Sequence, residues 1–518
     1  MAIRSKSILA NVAAFAMVST GLFAQEVTLN SMDGTLSITG ELIEFSDENY
    51  VIASNIGNLS IPTDAVTCVG EACPALMPRF TEFTISGSRE LALNLMPTLL
   101  DGFAESLELD ITRQNDENGN PQVLFVNENG DDVANISFVM RGSSRGLQNL
   151  LDGTASLALT TRQVRDAEAS AFARAGLGDI TAPGLETILA LDGLVVVTSA
   201  RNKVHIVRDD DIARIFSGQI SDWSELGGTP GPINLYVRPE NSGTGSIFAA
   251  SIMRPSRTGF SLKVNVLGTD ADVAEAVAAD PNGIGFTSYS NIGNANPASL
   301  LGVCGIQSPA TAFTIQAEEY PFSRRMYLYK LAQDVPPLVE LFLEYLATNE
   351  AQELIGFSGF VGQGVTEVPV NDQGLRFLSA ALPSDADMTL EQLQSMMVDL
   401  STAQRLTITY RFEQGTSRLD SRAEGDIRRL VELLQGPELA GKQIILLGFT
   451  DSVGTGAINE ALSVTRAEQV RTAILNASGG AIDPARILVR GYGELSPLGC
   501  NEVVEGRRIN RRVEVWTR

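Results

Sequence analysis

Histidine occurs once in these 518 residues, as His205, and cysteine only four times. So few imidazoles and thiols exclude a histidine-rich metal centre, and no cysteine–histidine or serine–histidine pair offers a nucleophile beside its base. The many acidic residues show no metal-ligand spacing, so no metal, cofactor or enzymatic activity is expected. Cys68 and Cys73 lie five residues apart in Cys-Val-Gly-Glu-Ala-Cys, which fits a local disulfide in an oxidising compartment. Cys304 and Cys500 are distant, and the sequence does not say whether they pair. Basic residues are scarce too: 38 Lys and Arg stand against 62 Asp and Glu, for a formal charge of −24. That balance suits a soluble protein and argues against nucleic acid as a partner. Long apolar runs are also missing, so no segment reads as a membrane span.

The N-terminus supplies the first positive feature. Arg4 and Lys6 precede an apolar stretch from Ile8 to Val18, then small residues up to Ala24. Residues 1–24 read as a secretory signal, which sets the rest of the chain outside the cytoplasm. Residues 25–78 alternate in short runs (Val27/Leu29, Leu36/Ile38, Tyr50/Ile52, Leu59/Ile61) between turn signals, predicting a small β domain. From 79 to 370 the texture becomes α/β, with helical patterns such as Leu91 to Ala104 and the buried-strand run Leu194 to Val197. Residues 371–405 read as a linker with one short helix, its apolar face Leu390, Leu393, Met397 and Leu400 and its start a Thr389/Gln392 capping box. Residues 406–518 form a last α+β domain.

Three Gly/Ser/Thr-rich loops stand between predicted strands and helices in the 79–370 segment. They are Ser86-Gly87-Ser88-Arg89, Gly142-Ser143-Ser144-Arg145-Gly146 and the loop from Arg238 to Gly245. Each would aim backbone N–H groups and hydroxyls at an anion, and Arg238 could add a bidentate contact. One such loop is an ordinary strand–helix turn; three in one segment favour oxyanion binding. The segment also resembles the periplasmic phosphate-binding proteins of ABC transporters. The matching pieces are Asp192 to Val197, Ile215 to Trp223, Arg238 to Thr244, Gly283 to Phe286 and Tyr320 to Arg324. The resemblance implies a two-lobed periplasmic-binding-protein fold. It implies Ser88, Arg89, Ser143, Thr161, Arg238, Ser242, Gly243 and Thr244 around phosphate or a related oxyanion, and an inner-membrane ABC permease as a further partner. Arg89 stands where that family offers a hydroxyl. Thr161 stands where it often has an aspartate, the group that accepts the proton of hydrogen phosphate and repels sulfate.

In the last domain Gly448-Phe449-Thr450-Asp451 is followed by Asn459, by Leu462 to Ala467, by Gly491 to Glu494 and by Gly506 to Glu514. In this order they resemble the OmpA-like domain that grips peptidoglycan. Asn459 and Arg466 recur at helical spacing on one face, with Asp451 in the turn after a strand. The resemblance implies Asp451, Asn459, Leu462 and Arg466 around the diaminopimelate of the stem peptide, Asp451 facing its ammonium and Arg466 its carboxylate. Phe449 replaces the family's usual histidine, and Arg507, Asn510, Arg511 and Arg512 are expected to brace the fold and flank the site. Together these readings describe a periplasmic oxyanion receptor held at the wall. The alternative is a structural envelope protein that links peptidoglycan to a partner, its middle domain no longer a receptor.

Overall fold

The computed structural model describes residues 26–31, 36–46, 49–54, 57–70, 73, 80–117, 119–332, 335–369, 373–374, 389–412, 419 and 421–518. The predicted signal segment and most of the predicted linker lie outside the described residues. Two compact units result, Met1–Arg79 and Phe80–Arg518. The first is a five-stranded antiparallel sheet in the order Gly57–Pro62, Asn49–Ser54, Ser37–Ser46, Glu26–Ser31, Val66–Val69. Alternate residues Val27, Leu29, Tyr50 and Ile52 fill its core, as strand periodicity requires. Cys68 is bonded to Cys73.

In the second unit one strand, Glu186–Thr198, ties two lobes together. Its first half pairs with Ser323–Tyr329 and its last residues, Leu194 to Thr198, pair with Gly283–Ser288. The first lobe continues through Leu157–Thr160, Thr81–Gly87, Asp132–Val139, Pro121–Val126 and Asp110–Asn115. The second continues from Gly283–Ser288 through Asn234–Val237 to Val264–Val266. Separate aromatic cores hold them, Phe103, Phe125 and Phe342 in one, and Phe216, Trp223, Phe248 and Phe286 in the other. Thr81–Gly87 is parallel to both its neighbours, and Asn234–Val237 likewise. Parallel strands of this kind present ligand loops at their carboxyl ends. That is where all three Gly/Ser/Thr loops stand, after Thr81–Gly87, Asp132–Val139 and Asn234–Val237.

The C-terminal sheet has the order Glu367–Pro369, Gln404–Arg411, Arg512–Thr517, Ile444–Phe449, Ile487–Gly491. Along Ile444–Phe449 the side chains alternate. Ile444 and Leu446 join the core under the helices Ser421–Gln435 and Gly456–Ala477, while Ile445, Leu447 and Phe449 face the other side. The helix Leu390–Leu400 covers that second face with Met396, Leu400 and part of Leu393, and its Thr389/Gln392 capping box forms. Met396 therefore takes the inward position assigned from sequence to Met397, which is 44% exposed, and Leu390 is exposed as well. Two adjacent methionines made the stripe ambiguous by one residue, and the sheet selects the one that completes a 393/396/400 face.

The C-terminal sheet and helices pack directly on the second lobe and its crossing segment. Glu318 is enclosed by guanidiniums: Arg325 at 2.5 Å from within the two-lobed part, then Arg422 at 3.4 Å and Arg411 at 3.5 Å from the C-terminal part. Glu319 pairs with Arg405, which also lies over the Phe313 ring. Arg429 donates to the Gln363 side chain at 2.6 Å. A second disulfide, Cys304–Cys500, joins the two parts across 196 positions of sequence. Closing so long a loop restricts the unfolded chain, with a chain-entropy ceiling of about 5 kcal/mol and common yields of about 2–4 kcal/mol. The double variant Cys304→Ser, Cys500→Ser should therefore unfold at lower urea than the oxidised wild type. An unchanged midpoint would show that the noncovalent contacts alone hold this interface.

Candidate functional site

At the first loop, Gly87 adopts a φ of 143°, and a Cβ there would meet the Leu159 carbonyl oxygen at 2.0 Å. Glycine thus lets the chain turn against the neighbouring strand. Ser88 is buried and caps the following helix, its Oγ accepting from Leu91 N–H at 3.4 Å. Arg89 is exposed and makes no hydrogen bond or ion pair among the described residues. At the second loop the half-buried Ser143 Oγ accepts from the backbone N–H of Thr161 at 3.1 Å and lies 3.4 Å from its hydroxyl. At the third, Ser242 Oγ donates to Pro239 O at 2.7 Å and accepts from Gly245 N–H at 3.0 Å. Thr244 donates to Asp270 Oδ2 at 3.0 Å, and exposed Gly243 opens the helix Gly243–Phe248. Ser143 and Thr161 thus meet from two strand ends on the first lobe, and Arg238, Ser242 and Thr244 gather on the second.

A set of charged groups lies beside these loops. Arg238 donates from Nη1 to Leu267 O at 2.7 Å, and its Nε stands 3.7 Å from Asp270 Oδ1. Arg324, at the lobe crossing, pairs with fully buried Asp192 at 2.6 Å and reaches Glu90 at 3.4 Å. Arg238 Nε, Asp270 Oδ1 and Arg324 Nη1 are buried without hydrogen-bond partners. Burial pushes the Glu90 carboxyl up to about 7, against the opposing pull of Arg324, and Asp192, Asp270 and Arg238 also act on it. Burial likewise raises Asp270, with Arg324 and Arg238 opposing. Sequence reasoning missed Glu90 and Asp270. Glu90 directly follows the first loop and could have been found there; Asp270 opens a helix far along the chain and carries no local signal. His205 is exposed, beside Asn296 and apart from the loops.

The C-terminal site is assembled by the strand Ile444–Phe449, the turn behind it and the helix Gly456–Ala477. Gly448 allows this approach, since a Cβ would meet Ser463 O at 2.0 Å. Asp451 accepts from Val453 N–H at 3.1 Å with one oxygen and pairs with Arg511 at 2.7 Å with the other. Arg466 is buried over the Phe412 ring at 5.3 Å, with Nε and Nη1 unpartnered. Thr450 Oγ1 and Asn459 Nδ2 are buried without partners as well. Burial lowers the Arg466 pKa, Arg511 lowers it further, and Asp451 opposes them. Leu462 is half-buried on the same helix. Unsatisfied donors of this kind cost about 1–3 kcal/mol each, and an anionic ligand would relieve that. Arg512 lies 4.1 Å over the Phe449 ring, so Phe449 supports the turn from inside the fold. Arg507 and Asn510 hold Asn501, which in turn accepts from Ser452 N–H beside Asp451.

Comparison with known proteins finds two family matches. Residues 126–350 match the PBP superfamily domain and residues 411–511 the OmpA family. The chain joins a PBP superfamily domain to an OmpA-family domain. Neither is a family of enzymes. The PBP domain is similar to the phosphate-binding protein PstS of Borreliella burgdorferi, 22% identical over 232 residues, which are 44% of this chain and 79% of that protein. The OmpA domain is 36% identical over 110 residues to outer membrane porin F of Pseudomonas aeruginosa, covering 21% of this chain and only 30% of the porin. Among solved structures, an ABC-type phosphate transport receptor from Vibrio cholerae aligns with a TM-score of 0.41 at 19% identity, over 54% of this chain and 99% of that one. No described helix is long and apolar enough to cross a membrane.

Proposed function

We propose that this protein is a periplasmic receptor for phosphate or a similar tetrahedral oxyanion, held non-covalently to peptidoglycan through its OmpA domain. The observation that carries the reading is the same at both sites: buried guanidinium nitrogens without partners, Arg238 Nε and Arg324 Nη1 in the PBP domain and Arg466 Nε and Nη1 in the OmpA domain. Ser88, Arg89, Ser143, Thr161, Arg238, Ser242, Gly243 and Thr244 would surround the oxyanion. Asp451, Asn459, Leu462 and Arg466, with Arg511 beside them, would hold the diaminopimelate of a stem peptide. Arg466 would take its carboxylate and Asp451 its ammonium. Delivery to an inner-membrane ABC permease is the finer form of this reading. Isothermal titration of the full chain with phosphate tests it; absence of heat with phosphate and with sulfate would contradict the receptor role.

A second reading has its own support. The Ser242 and Thr244 hydroxyl protons are committed to Pro239 and Asp270, and the Glu90 carboxyl takes up part of Arg324. Under that reading the PBP domain is an envelope spacer that links peptidoglycan to a protein partner. It predicts wall retention without oxyanion binding.

A further inference from the structure

We infer that the second lobe of the PBP domain positions the peptidoglycan site, through Cys304 on one side and the Ala317 and Glu318 carbonyls on the other; the inference rests on the wall-binding reading above. Asp451 and Arg466 are the side chains that would touch the ligand, and a tie from the second lobe reaches each of them. The turn that carries Asp451 is held by Asn501, whose Oδ1 accepts from Ser452 N–H at 3.3 Å and from Asn510 Nδ2 at 2.9 Å. Asn501 directly follows Cys500. Cys500 is bonded to Cys304, which stands in the second lobe between the strands Ser299–Leu301 and Gln307–Ser308. Cys500 also abuts the helix Val504–Asn510, where a Cβ on Gly506 would collide with the Cys500 carbonyl oxygen. That helix leads straight into Arg511, the partner of Asp451 at 2.7 Å. The disulfide thus anchors both groups that orient the Asp451 carboxylate.

The second tie leads to Arg466, whose guanidinium lies over the Phe412 ring at 5.3 Å. The residue before that ring, Arg411, is buried. Its Nη2 donates to Ala317 O and Glu318 O, both at 2.7 Å, and its Nη1 donates to Ile509 O at 2.8 Å. One guanidinium therefore fastens the second lobe to the end of the strand Gln404–Arg411 and to the helix that precedes Arg511. Glu318 adopts a φ of 53°, a left-handed conformation unfavourable to a residue with a Cβ. Such strain persists where the surroundings over-determine it, and here two successive carbonyls converge on one nitrogen. A zwitterion is gripped at two points. Its affinity therefore depends on the carboxylate and the guanidinium being set at the right spacing before it arrives.

The test is isothermal titration of the full-length protein with two stem tripeptides, one ending in diaminopimelate and one in lysine, which lacks the carboxylate that Arg466 would take. The wild type should favour the diaminopimelate peptide by about tenfold or more, as one charge-assisted contact requires. The double variant C304S/C500S is compared at a temperature where its circular dichroism matches that of the wild type. It should narrow the preference by about threefold or more, since a displaced Asp451 and Arg466 no longer grip both ends together. A lower unfolding midpoint with an unchanged preference would mean that the disulfide only joins the domains, which overturns the inference while the wall-binding reading stands. No heat with the diaminopimelate peptide, or no preference for it, in the wild type overturns both. Should the double variant fail to fold, R411K is read in its place, because it keeps the charge without the fork that bridges three carbonyls. A narrowed preference there supports the inference, and a preference equal to the wild type's overturns it.

Discussion

Replacing Glu318 with alanine is expected to destabilise the Phe80–Arg518 unit by about 3–5 kcal/mol, the usual cost of removing one partner from a buried ion pair. The residue is buried and receives Arg325 at 2.5 and 2.9 Å, with Arg422, Arg411 and Arg508 at 3.4, 3.5 and 3.9 Å. Taking the carboxylate away removes the charge on which these four guanidiniums converge, although Arg422 keeps Asp426 at 3.2 Å and Arg508 keeps Glu505 at 2.6 Å. Burial and Arg508 already push the Arg411 pKa down to about 10, with Glu318 opposing them. Urea unfolding of Glu318→Ala should show the loss, and Glu318→Gln should recover little, since shape without charge cannot offset the guanidiniums. A change below about 1 kcal/mol would contradict this account of the interface.

The same group sets an acid limit. Burial raises the Glu318 carboxyl, but Arg325, Arg422 and Arg411 outweigh it and hold the pKa well below 4.5. A carboxylate depressed in the folded state contributes stability that is present above its unfolded value and lost as pH falls through the folded one. The contribution of Glu318 should therefore persist at neutral pH and decline only below about pH 4.5. Glu318→Gln should abolish that part of the acid dependence.

The second large effect is expected at the OmpA domain. Arg466→Ala should lower retention on purified peptidoglycan by about 10- to 100-fold, as losing one charge-assisted contact of roughly 1.5–3 kcal/mol requires. Its effect on folding should be small, because Nε and Nη1 make no hydrogen bond that the fold would lose. The Phe412 contact is the main stabilising loss, about 0.5–2 kcal/mol. Arg466→Lys should be intermediate, keeping the charge without the planar fork. Full retention of Arg466→Ala would place the wall contact elsewhere. Lost retention with a collapsed melting transition would mean that Arg466 braces the fold instead.

Much of this architecture is legible in the sequence because it is local. Alternation exposes the small sheet through Val27, Leu29, Tyr50 and Ile52, and glycine and serine punctuate each strand–helix turn that carries an anion loop. The turn at Asp451 and the helix face with Asn459 and Arg466 follow from spacing of three and four residues. What the sequence hides is pairing across distance. The Cys304–Cys500 bond, the guanidinium ring around Glu318 and the partnership of Glu90 with Arg324 all join residues more than 80 positions apart or depend on a packed interface. The strand Glu367–Pro369 is another case. It falls at the edge of the two-lobed segment in sequence, yet it pairs with Gln404–Arg411 in the C-terminal sheet. Three residues carry too little pattern to reveal their partner.

Retention of radiolabelled phosphate on washed peptidoglycan sacculi tests the central claim most directly. With the wild-type protein present, label should sediment with the sacculi in proportion to bound protein. Arg466→Ala should release protein and label together, whereas Arg238→Ala should keep the protein and lose the label. Wild-type protein that sediments without label would contradict the receptor half of the account, and protein that stays in solution would contradict the wall-binding half.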